Sequence, residues 1–500
     1  MVTQSVDHVA LLPLYAAAGT ALLVLLAEVT AGRRAAVLGA ALLGAMATAA
    51  CAGVVAADGR RSTFCGEAGC SWVATPLAAV AAVLFAALTA GVLALSVPAL
   101  RLGAAPPGEF CFLLACSMTG GVTVGYAGDL ITLIVGLETL TLPLYVLVGL
   151  RRFAPRERVT AAGASAAVTF FLISVVSTAV ALLGAALLYA ATGVLHLSAL
   201  GGDAAARALA EMGLSLQDLG GQAAVGQVSS APLATVGAAL LVVGFGFKVA
   251  AVPLHAWAPP TYDGAPVPVA AYLSTASKLG GVVALAVVVP QLDTGWLMAV
   301  LAVLTMTVGN LVALRQTRMV RLLAWSSIAQ AGYILAPLAA GAAGVPAAVA
   351  YAVFFVLLEF VAFGALVALR RPVADGGAIA DYRGAGRRAP WRGAALVLAF
   401  AGLAGLPPGL AGLFAKVTIV DVLIDTGWAW LAVVVALNAV VALAYYVRAA
   451  AVLYAPEPRA EGAPVRSRVA GPVAAALTLA AAVAVLVGLA PQLIFDALNP

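Results

Sequence analysis

Long, uninterrupted apolar runs recur along the whole chain, and they constrain its fold more than any other feature. Of the 500 residues, 64% are hydrophobic and only 9% are charged. A run of about 18 or more apolar residues can cross the hydrocarbon core of a bilayer. Because lipid offers no hydrogen-bond partners, each run must satisfy its own backbone, which a helix does. The sequence therefore predicts an all-α polytopic membrane protein.

We mark fourteen such runs between the polar and turn-forming residues. The predicted spans are 9–29, 35–57, 74–99, 110–127, 129–150, 161–190, 232–256, 266–290, 295–315, 321–341, 345–369, 393–423, 427–454 and 469–490. No basic segment precedes the first run, so we expect it to be a retained helix and not a signal peptide. Segment 203–212, between spans six and seven, predicts one further short helix.

The basic residues of the loops alternate along the chain and indicate an orientation. Loops that follow odd-numbered spans carry most of the arginines, with a dense group in 151–158. Loops that follow even-numbered spans carry only Arg60, Arg61 and Arg207, together with most of the loop Asp and Glu residues. Since Lys and Arg are enriched on the cytoplasmic side of membrane proteins, both termini are predicted to lie outside.

Lysine is nearly absent from the chain, and its few positions are informative. The sequence has 26 basic residues, of which only Lys248, Lys278 and Lys416 are lysines, and each lies in an apolar run. Arginine stays protonated in a protein, whereas a buried lysine can lose its proton. This distribution predicts that the three lysines take up and release protons inside the membrane.

Two of the spans contain residues that interrupt a helix. Span seven has Pro253 five residues after Lys248, and span twelve has the segment GLPPG at 405–409 before Lys416. Proline removes a backbone donor and clashes with the preceding turn. Helices seven and twelve are therefore predicted to be discontinuous.

Discontinuous helices at corresponding places in two halves of a membrane protein indicate inverted repeats around an ion path. We therefore predict two inverted five-helix repeats, with helices 4–8 in 110–290 and helices 9–13 in 291–455. A three-helix segment, 1–109, precedes the repeats, and helix 14 lies in 456–500.

Glu138 lies near the middle of span five, where a charge costs about 2.5–3.5 kcal/mol and normally has a partner or faces water. We predict a proton-accepting carboxylate paired with a lysine; a structural ion pair or a protonated glutamate in helix packing are the alternatives. Whether Lys248 is protonated would depend on how far that carboxylate lies from it, because a nearby negative charge favours the ammonium form. Lys278, at mid-span, would pass protons across the midplane, and Lys416 would be the exit-side station. Lys248 and Lys416 could instead extend their ammonium groups to the interface.

Other polar residues in the spans carry weaker signals. Glu359 lies in VFFVLLEFVAF and either lines water or bonds to a backbone group. His255 follows the broken span seven and is either a cytoplasmic proton entry or a residue that packs the turn. Span ten has a polar face that could hold water, formed by Ser326, Ser327, Gln330 and Tyr333.

Several function classes leave no trace in the sequence. It contains no glycine-rich phosphate loop, no Cys/His metal-ligand spacing and no nucleophile motif, and its net charge of +5 comes from loop arginines, which do not suggest nucleic acid. No loop is long enough for a soluble catalytic domain, so redox or nucleotide chemistry is expected on other chains. Cys65 and Cys70 share one loop and could form a disulfide if that loop faces an oxidising compartment.

Four stretches of the chain resemble the antiporter-like membrane subunits of respiratory complex I. They are DLITLIVGLETLTLPLYVLVGLRR (129–152), GFKVAAVPLHAWAPPTYDGAPVPVAAYLSTASK (246–278), LLAWSSIAQAGY (322–333) and GLAGLPPGLAGLFAK (402–416). With the span layout, the resemblance covers nearly the whole chain. It implies a proton path through Glu138, Lys248, Lys278 and Lys416. The same larger group includes subunits of multi-subunit Na⁺/H⁺ antiporters and of membrane-bound hydrogenases.

The chain departs from this family at two positions. Thr169 stands where relatives usually have a lysine in span six, and Gln330 stands where the span-ten motif usually has a histidine. Both changes remove titratable groups from the path that the resemblance implies. Water held by Thr169 and Gln330 could bridge the gap, or the chain could be a divergent form with weakened pumping.

The resemblance implies a proton-translocating subunit of a complex I-type NADH-quinone oxidoreductase in the bacterial plasma membrane, with no cofactor or metal of its own. NADH, FMN, iron–sulfur clusters and quinone would belong to partner subunits. Other antiporter-like subunits and small membrane subunits would surround it in the lipid bilayer. Two alternatives stay open: a subunit of a Na⁺/H⁺ antiporter that has no redox reaction, and a membrane scaffold that has lost proton conduction.

Overall fold

The computed structural model of the chain describes residues 6–67, 69–150, 157–200, 222–456 and 469–498. The short helix predicted at 203–212 therefore lies outside the described residues, as does most of the arginine group in 151–158. The described part is mostly helical, with one small hairpin.

The helices follow the predicted apolar runs closely. The first six are α1 (Leu12–Ala31), α2 (Arg34–Ala57), α3 (Pro76–Arg101), α4 (Pro107–Tyr126), α5 (Leu130–Gly149) and α6 (Glu157–Thr192). The next six are α7 (Gln222–Lys248), α8 (Ala258–Gly264), α9 (Val267–Gln291), α10 (Gly295–Ala313), α11 (Met319–Leu338) and α12 (Val345–Leu369). The last six are α13 (Ala385–Arg388), α14 (Pro390–Ala404), α15 (Leu410–Asp425), α16 (Ala429–Tyr454), α17 (Gly471–Leu489) and α18 (Gln492–Leu498).

Eleven of the described helices are long and apolar enough to cross a membrane: α1 to α6, α9, α10, α12, α16 and α17. The chain is therefore a multi-pass membrane protein. Predicted spans seven, ten and twelve fall on α7, on α11, and on α14 with α15. These three places carry either a helix break or the polar face, which is why their apolar segments are shorter or less apolar.

Both predicted breaks occur. α7 ends at Lys248 and helix resumes only at Ala258, while α14 ends at Ala404 and α15 begins at Leu410. The apolar segment of α7 is Pro232–Lys248, which starts where span seven is predicted to start, but the helix itself begins earlier, at Gln222, and continues through Pro232. A proline inside a membrane helix is tolerated when neighbouring groups satisfy the freed carbonyl.

The interior is built around α9 and α12, whose side chains are buried almost throughout. α12 packs against α9, α11, α14 and α17, so it lies at the centre of the second half of the chain. In contrast, Val29 of α1 is 84% exposed and Leu489 of α17 is 70% exposed. Large apolar side chains on the perimeter suit a lipid solvent, which is as apolar as they are.

A two-stranded hairpin joins α2 to α3, so the all-α prediction missed one element. β1 (Arg61–Gly66) and β2 (Gly69–Ala74) pair antiparallel, and Cys65 lies opposite Cys70. These two cysteines form the disulfide that the sequence left open. The strands have β-favouring residues such as Thr63 and Trp72, but each is only six residues long and has no strict alternation of burial.

The hairpin is attached to the helix ends around it. Trp72 Nε1 donates to the Ala10 carbonyl at 2.8 Å, and its ring stacks on Tyr126 with centroids 4.9 Å apart. Arg61 Nη1 donates to Asp7 Oδ2 at 2.9 Å, and this hydrogen bond lowers the pKa of the Asp7 carboxyl. The hairpin therefore caps one end of the bundle formed by α1, α3 and α4.

Candidate functional site: a chain of buried lysines

Lys248 lies at the end of α7 and is only 3% exposed. Its Nζ donates to Glu138 Oε1 at 2.7 Å, which makes an ion pair between α7 and α5. Two further hydrogen bonds run to Thr141 Oγ1 at 3.2 Å and to Ser174 Oγ at 3.1 Å, so all three ammonium donors are used. Glu138 in turn accepts from Thr178 Oγ1 at 2.5 Å. The structure thus brings together the glutamate and lysine that the sequence pairs.

The break in α7 is what places this ammonium inside the bundle. After Lys248 the backbone turns, with Ala250 in the left-handed region at a φ of 58°. The carbonyls left over from the last turn find new donors: Ala251 N donates to Gly246 O at 2.8 Å, and Trp257 Nε1 donates to Phe247 O at 3.1 Å. The end of the helix is therefore satisfied without water, and Lys248 is held in a fixed place.

Lys278 is 1% exposed and lies in the middle of α9. The residues directly before it, Leu273–Ser277, form a π-helical segment, which is a local widening often found at functional sites. Lys278 Nζ donates to the carbonyl oxygen of Ser327 at 2.6 Å and to its Oγ at 3.0 Å. The described hydrogen-bond partners of this ammonium are therefore neutral oxygens of α11.

Glu359 is fully buried in α12 and reaches α9 one turn away from Lys278. Its Oε1 accepts from Ser274 Oγ at 2.7 Å, and its Oε2 has no hydrogen-bond partner among the described residues. Ser274, the partner of Glu359, lies four residues before Lys278 on α9. Of the two sequence alternatives for Glu359, bonding to a backbone group is not what the described contacts show, because its partner is a side-chain hydroxyl.

The Lys248 and Lys278 sites adjoin at Gly281. A Cβ atom at Gly281 would lie 2.9 Å from the Cβ of Lys248 and 2.8 Å from Val249 Cγ1. This glycine, three residues after Lys278, lets the end of α7 approach the backbone of α9. The two sites are therefore neighbours in space. Among the residues that the structure describes, no hydrogen bond connects them.

The polar face predicted for span ten exists, but it is filled by protein groups. Its four polar side chains, Ser326, Ser327, Gln330 and Tyr333, are all fully buried. Ser326 Oγ lies 2.5 Å from Tyr446 OH of α16. Gln330 Nε2 donates to the same Tyr446 OH at 3.1 Å and to Leu403 O of α14 at 3.0 Å. Tyr351 OH of α12 donates to Gln330 Oε1. Gln330 therefore ties α11 to three other helices.

Lys416 lies one turn into α15, just after the second break. Its Nζ donates to Leu403 O and Ala404 O, each at 2.9 Å. These are the last carbonyls of α14, which have no intrahelical donor because the helix ends there. A cation also suits the negative end of a helix dipole. The ammonium lies 5.0 Å from the ring centroid of Tyr333, which adds a cation–π contact.

Tyr333 connects the Lys416 site to a further buried network. Asn310 Nδ2 of α10 donates to Tyr333 OH at 3.2 Å and to Asn438 Oδ1 of α16 at 3.1 Å. Tyr445 OH donates to Asn310 Oδ1 at 3.1 Å. The polar groups thus continue from Lys416 toward the contact between α10 and α16.

Two other candidates lie outside these hydrogen-bonded clusters. Thr169 is half-buried on α6, before the two residues, Ser174 and Thr178, through which α6 reaches the Lys248 site. His255 is half-buried in the turn after α7, and its ring packs against Trp325 with centroids 5.1 Å apart. This contact fits the turn-packing alternative for His255.

The sequence interpretation missed several residues of the site. Tyr446 and Asn438 lie in the apolar run of α16, Asn310 in that of α10, and Ser174 and Thr178 in that of α6. A polar side chain inside a span is itself a signal, because it normally faces the bundle interior. The backbone carbonyls that bind Lys416 had no such signal, since any helix end supplies them.

Chemically, the site is a series of buried ammonium, carboxylate, hydroxyl and amide groups. One ammonium is paired with a carboxylate, and two are held by neutral oxygens. No group of three or more His, Cys, Asp or Glu side chains within the described ranges could hold a metal ion.

Comparison with known proteins agrees with the family resemblance of the four sequence stretches. Residues 127–442 match the family described as NADH:quinone oxidoreductase/Mrp antiporter, TM. Over 99% of its length the chain is 57% identical to NADH-quinone oxidoreductase subunit N of Salinispora tropica, covering 98% of that protein. It is 40% identical to NADH-quinone oxidoreductase subunit N 2 of Streptomyces griseus, over 98% of the chain and 93% of that protein.

A solved structure is similar over the same extent. A chain of respiratory complex I from Thermus thermophilus, determined with bound Aureothin, superposes with a TM-score of 0.79 at 28% identity. The match covers 97% of this chain and 99% of the other. The two folds are therefore similar over nearly the complete length of both chains.

Proposed function

The chain belongs to the NADH:quinone oxidoreductase/Mrp antiporter transmembrane family, as an antiporter-like membrane subunit of complex I, and we propose that its buried lysines carry the protons that the complex moves. The observation that carries this proposal is the series of contacts from Lys278 to Lys416. Lys278 contacts Ser327, whose neighbour Ser326 bonds Tyr446, and Gln330 links that hydroxyl to the carbonyl of Leu403 that also binds Lys416.

The proposed cycle starts at the Glu138–Lys248 pair. A change at a neighbouring subunit moves Glu138 away and leaves a buried ammonium without its counter-charge, which is costly. Lys248 then gives up its proton toward Lys278, at the place where Gly281 lets α7 and α9 approach closely. Lys278, once protonated, gives a proton on toward Lys416, which releases it outward. Each charge moved works against about 2.3 kcal/mol per 100 mV of membrane potential.

The proposed topology has fourteen spans: the eleven long helices together with α7, α11 and the α14–α15 pair. Both termini lie outside, and α4–α9 and α10–α16 form the two inverted repeats, 110–290 and 291–455. The lysine-bearing breaks of α7 and α14–α15, at corresponding places, support the repeat. The Cys65–Cys70 disulfide supports the outside location of the hairpin, since disulfides persist in oxidising compartments.

The redox steps of the complex are proposed to lie on partner subunits in the same membrane, a bacterial plasma membrane. NADH, FMN, iron–sulfur clusters and quinone would be bound there. The support is the family match and the 57% identity, over 99% of the chain, to a relative named NADH-quinone oxidoreductase subunit N. Coupling to quinone reduction would therefore be electrostatic and conformational.

The test of the proton path uses Lys278→Ala and Glu138→Ala in the intact complex, reconstituted into vesicles. Both variants should lose most of the NADH-driven proton uptake, roughly tenfold or more if each group is an obligatory carrier, together with the coupled quinone reductase rate. Glu109→Ala is the matched control, because Glu109 is an exposed carboxylate on the adjacent α4. Wild-type uptake and turnover in both Lys278→Ala and Glu138→Ala would refute the path.

A second reading is a Na⁺/H⁺ antiporter subunit, which the family description also names. The same vesicles distinguish the two readings. An antiporter would exchange protons for an imposed Na⁺ gradient without NADH or quinone, whereas the proposed subunit would move protons only during quinone reduction. A chain that has become a scaffold would show no flux that depends on Lys278.

A further inference from the structure

Glu359 is a buried acidic residue that the proton path proposed above does not use. It lies near the middle of α12 and is 0% exposed. An acidic side chain inside a membrane helix is costly, and such residues mark ion paths and proton relays. The contacts of its two oxygens distinguish this role from a purely structural one.

Asp129 shows how a structural acid is bound in the same chain. It is the other acidic residue that is buried among those described, and it lies directly before α5. Its Oδ1 accepts from the backbone nitrogen of Thr132 at 2.8 Å, and its Oδ2 accepts from Thr132 Oγ1 at 2.8 Å. Both oxygens are satisfied, so Asp129 caps the helix and needs no further partner.

The carboxyl group of Glu359 is satisfied on one oxygen alone. Oε1 accepts from Ser274 Oγ at 2.7 Å, whereas Oε2 is buried and has no hydrogen-bond partner among the described residues. A carboxylate there has one neutral donor, and a proton on Oε2 has no described acceptor. Buried polar groups are nearly always paired, so an unpaired one requires an explanation such as a catalytic role. Neither protonation state is therefore fixed by the contacts of this group.

Ser274 connects this carboxyl group to the surroundings of Lys278. The two residues are four apart on α9, and side chains at that spacing lie on one face of a helix, with Cβ atoms about 5–6 Å apart. Ser274 belongs to the π-helical segment Leu273–Ser277, which ends directly before Lys278. The Lys278 ammonium group donates to two neutral oxygens of Ser327. A half-satisfied carboxyl group and an ammonium group held by neutral oxygens thus share one region between α9, α11 and α12.

The other elements that pack against α12 offer Glu359 no better partner for proton exchange. α3, α14 and α17 contain no acidic residue, histidine or lysine, and the aspartates of α15 and α18 are exposed. Lys416 of α15 is bonded to the end of α14. Tyr262 of α8 donates to Leu273 O at 3.2 Å, but a phenol loses its proton in water only near pH 10. Lys278 is therefore the titratable group that best matches Glu359.

From these contacts we infer that Glu359 is a further proton-carrying residue, which exchanges a proton with Lys278. The inference rests on the proposed function, because a proton must first reach Lys278. That proton leaves the ammonium group and joins the Glu359 carboxylate, which leaves an amine and a carboxyl group; the reverse transfer restores the charged pair. The summed charge of the two groups stays the same, so the step leaves no uncompensated charge in the buried site.

The test compares variants of the intact complex, reconstituted into vesicles, by NADH-driven proton uptake and by thermal unfolding. Glu359→Gln keeps the shape and the acceptor for Ser274 but carries no proton. Glu359→Asp keeps the acid and, being one methylene shorter, loses the contact with Ser274. A positioned proton-transfer group contributes about 10²–10⁴-fold to a rate, so Glu359→Gln should lower uptake at least about tenfold, whereas Glu359→Asp should retain most of it. Glu109→Gln, the same change at an exposed glutamate of α4, should match the wild type.

A structural role for Glu359 predicts the opposite order of the two variants. Wild-type uptake in Glu359→Gln, with uptake and stability lost in Glu359→Asp, would therefore overturn the inference. Equal loss in both variants, with a lowered unfolding temperature in both, would assign Glu359 to helix packing and overturn it as well.

Lys278→Ala, measured beside them, separates this inference from the proposed function. Loss of uptake in Lys278→Ala with wild-type uptake in Glu359→Gln would refute the role of Glu359 and leave the lysine path in place. Wild-type uptake in both variants would refute the path itself. Loss of uptake in both, with recovery in Glu359→Asp, is the expected result.

Discussion

At the scale of the residue, Gln330 is the side chain whose role the structure changes most. By family resemblance a histidine is expected there, and its loss removes a titratable group. The structure shows an amide that donates to Leu403 O and Tyr446 OH and accepts from Tyr351 OH. A neutral imidazole has only one donor and one acceptor. Gln330 therefore holds the hydroxyls and the carbonyl in place, which is a structural role that does not require a titratable side chain.

This geometry predicts the effect of Gln330→Leu. The change leaves the buried hydroxyl of Tyr351 without a described partner, at a cost of about 1–3 kcal/mol, whereas Tyr446 OH keeps Ser326 Oγ. It should reduce NADH-driven proton uptake in reconstituted vesicles. Gln330→His should keep most of the uptake. Thermal unfolding of the purified complex separates loss of stability from loss of flux.

The control for this prediction is Gln316→Leu. The side-chain amide of Gln316, three residues after the end of α10, donates to Val312 O, and the residue is half-buried. Its replacement should leave both uptake and unfolding temperature near the wild-type values. Wild-type uptake in Gln330→Leu at unchanged stability would contradict the role given to Gln330.

The residues of the site were predictable to different degrees. The lysines and Glu138 stand out in the sequence because a charge inside a span is rare and costly. Tyr446 and Asn310 do not stand out, since a tyrosine or asparagine in an apolar run has little effect on hydropathy. The acceptors of Lys416 could not be predicted at all, because they are backbone carbonyls of Leu403 and Ala404, exposed by the break in α14.

At the scale of the element, α10 and α11 pack through glycines. A Cβ atom on Gly332 would lie 2.5 Å from the backbone nitrogen of Met306, and one on Gly309 would lie 2.6 Å from that of Ala329. Lipid gives no hydrophobic drive for helix association, so close backbone packing at small residues is a main source of stability. α11 carries Ser327 and Gln330, so this packing also positions the polar face.

Gly332→Ala should therefore separate α10 from α11. The added methyl group meets backbone that cannot move alone, and overpacking of this kind costs about 1–3 kcal/mol. Gly39→Ala is the matched control, because nothing lies within 4 Å of the Cβ position of Gly39, also within a helix. It should be neutral or stabilising, by about 0.5–1 kcal/mol. Unfolding of the detergent-solubilised chain measures both, and equal stability of the two variants would rule out the close-packing account.

Helix positions were largely predictable, because apolar length and proline placement are local properties. The β1–β2 hairpin was missed, since its stability comes from the disulfide and from Trp72 packing on Tyr126. α7 extends further toward the N-terminus than the predicted span, because Pro232 is usually read as a helix start. For the hairpin, contacts distant in sequence decided the local structure.

At the scale of the whole molecule, charge is distributed by position in the membrane. The exposed loops between α10 and α11 and between α12 and α14 carry arginines that pair with Asp263, Asp375 and Asp381. The lysines are confined to the buried centre. Ion pairs join these loops at one end of the bundle, and the buried lysines lie apart from them. The sequence showed that the arginines lie in loops and the lysines in apolar runs. It did not show the ion pairs, because contacts between distant loops depend on the fold.

The proposed orientation makes a last prediction, which uses cysteine labelling. Cys65 and Cys70 lie in the outward hairpin, whereas Cys111 is buried, and Cys51 and Cys116 lie within helices. After reduction, a membrane-impermeant maleimide should label the hairpin cysteines in right-side-out vesicles and not in inside-out vesicles. Without reduction it should label neither, because both thiols are in the disulfide.

The matched control places a single new thiol on the opposite side. In a chain carrying Cys65→Ser and Cys70→Ser, Arg387→Cys puts an exposed cysteine in the loop that contains α13. This thiol should react in inside-out vesicles alone. The reverse labelling pattern for the hairpin and for position 387 would place both termini inside and invert the whole topology, because an even number of spans keeps the two ends on one side. Labelling of both positions from the same side would instead show that the number of spans between them is even.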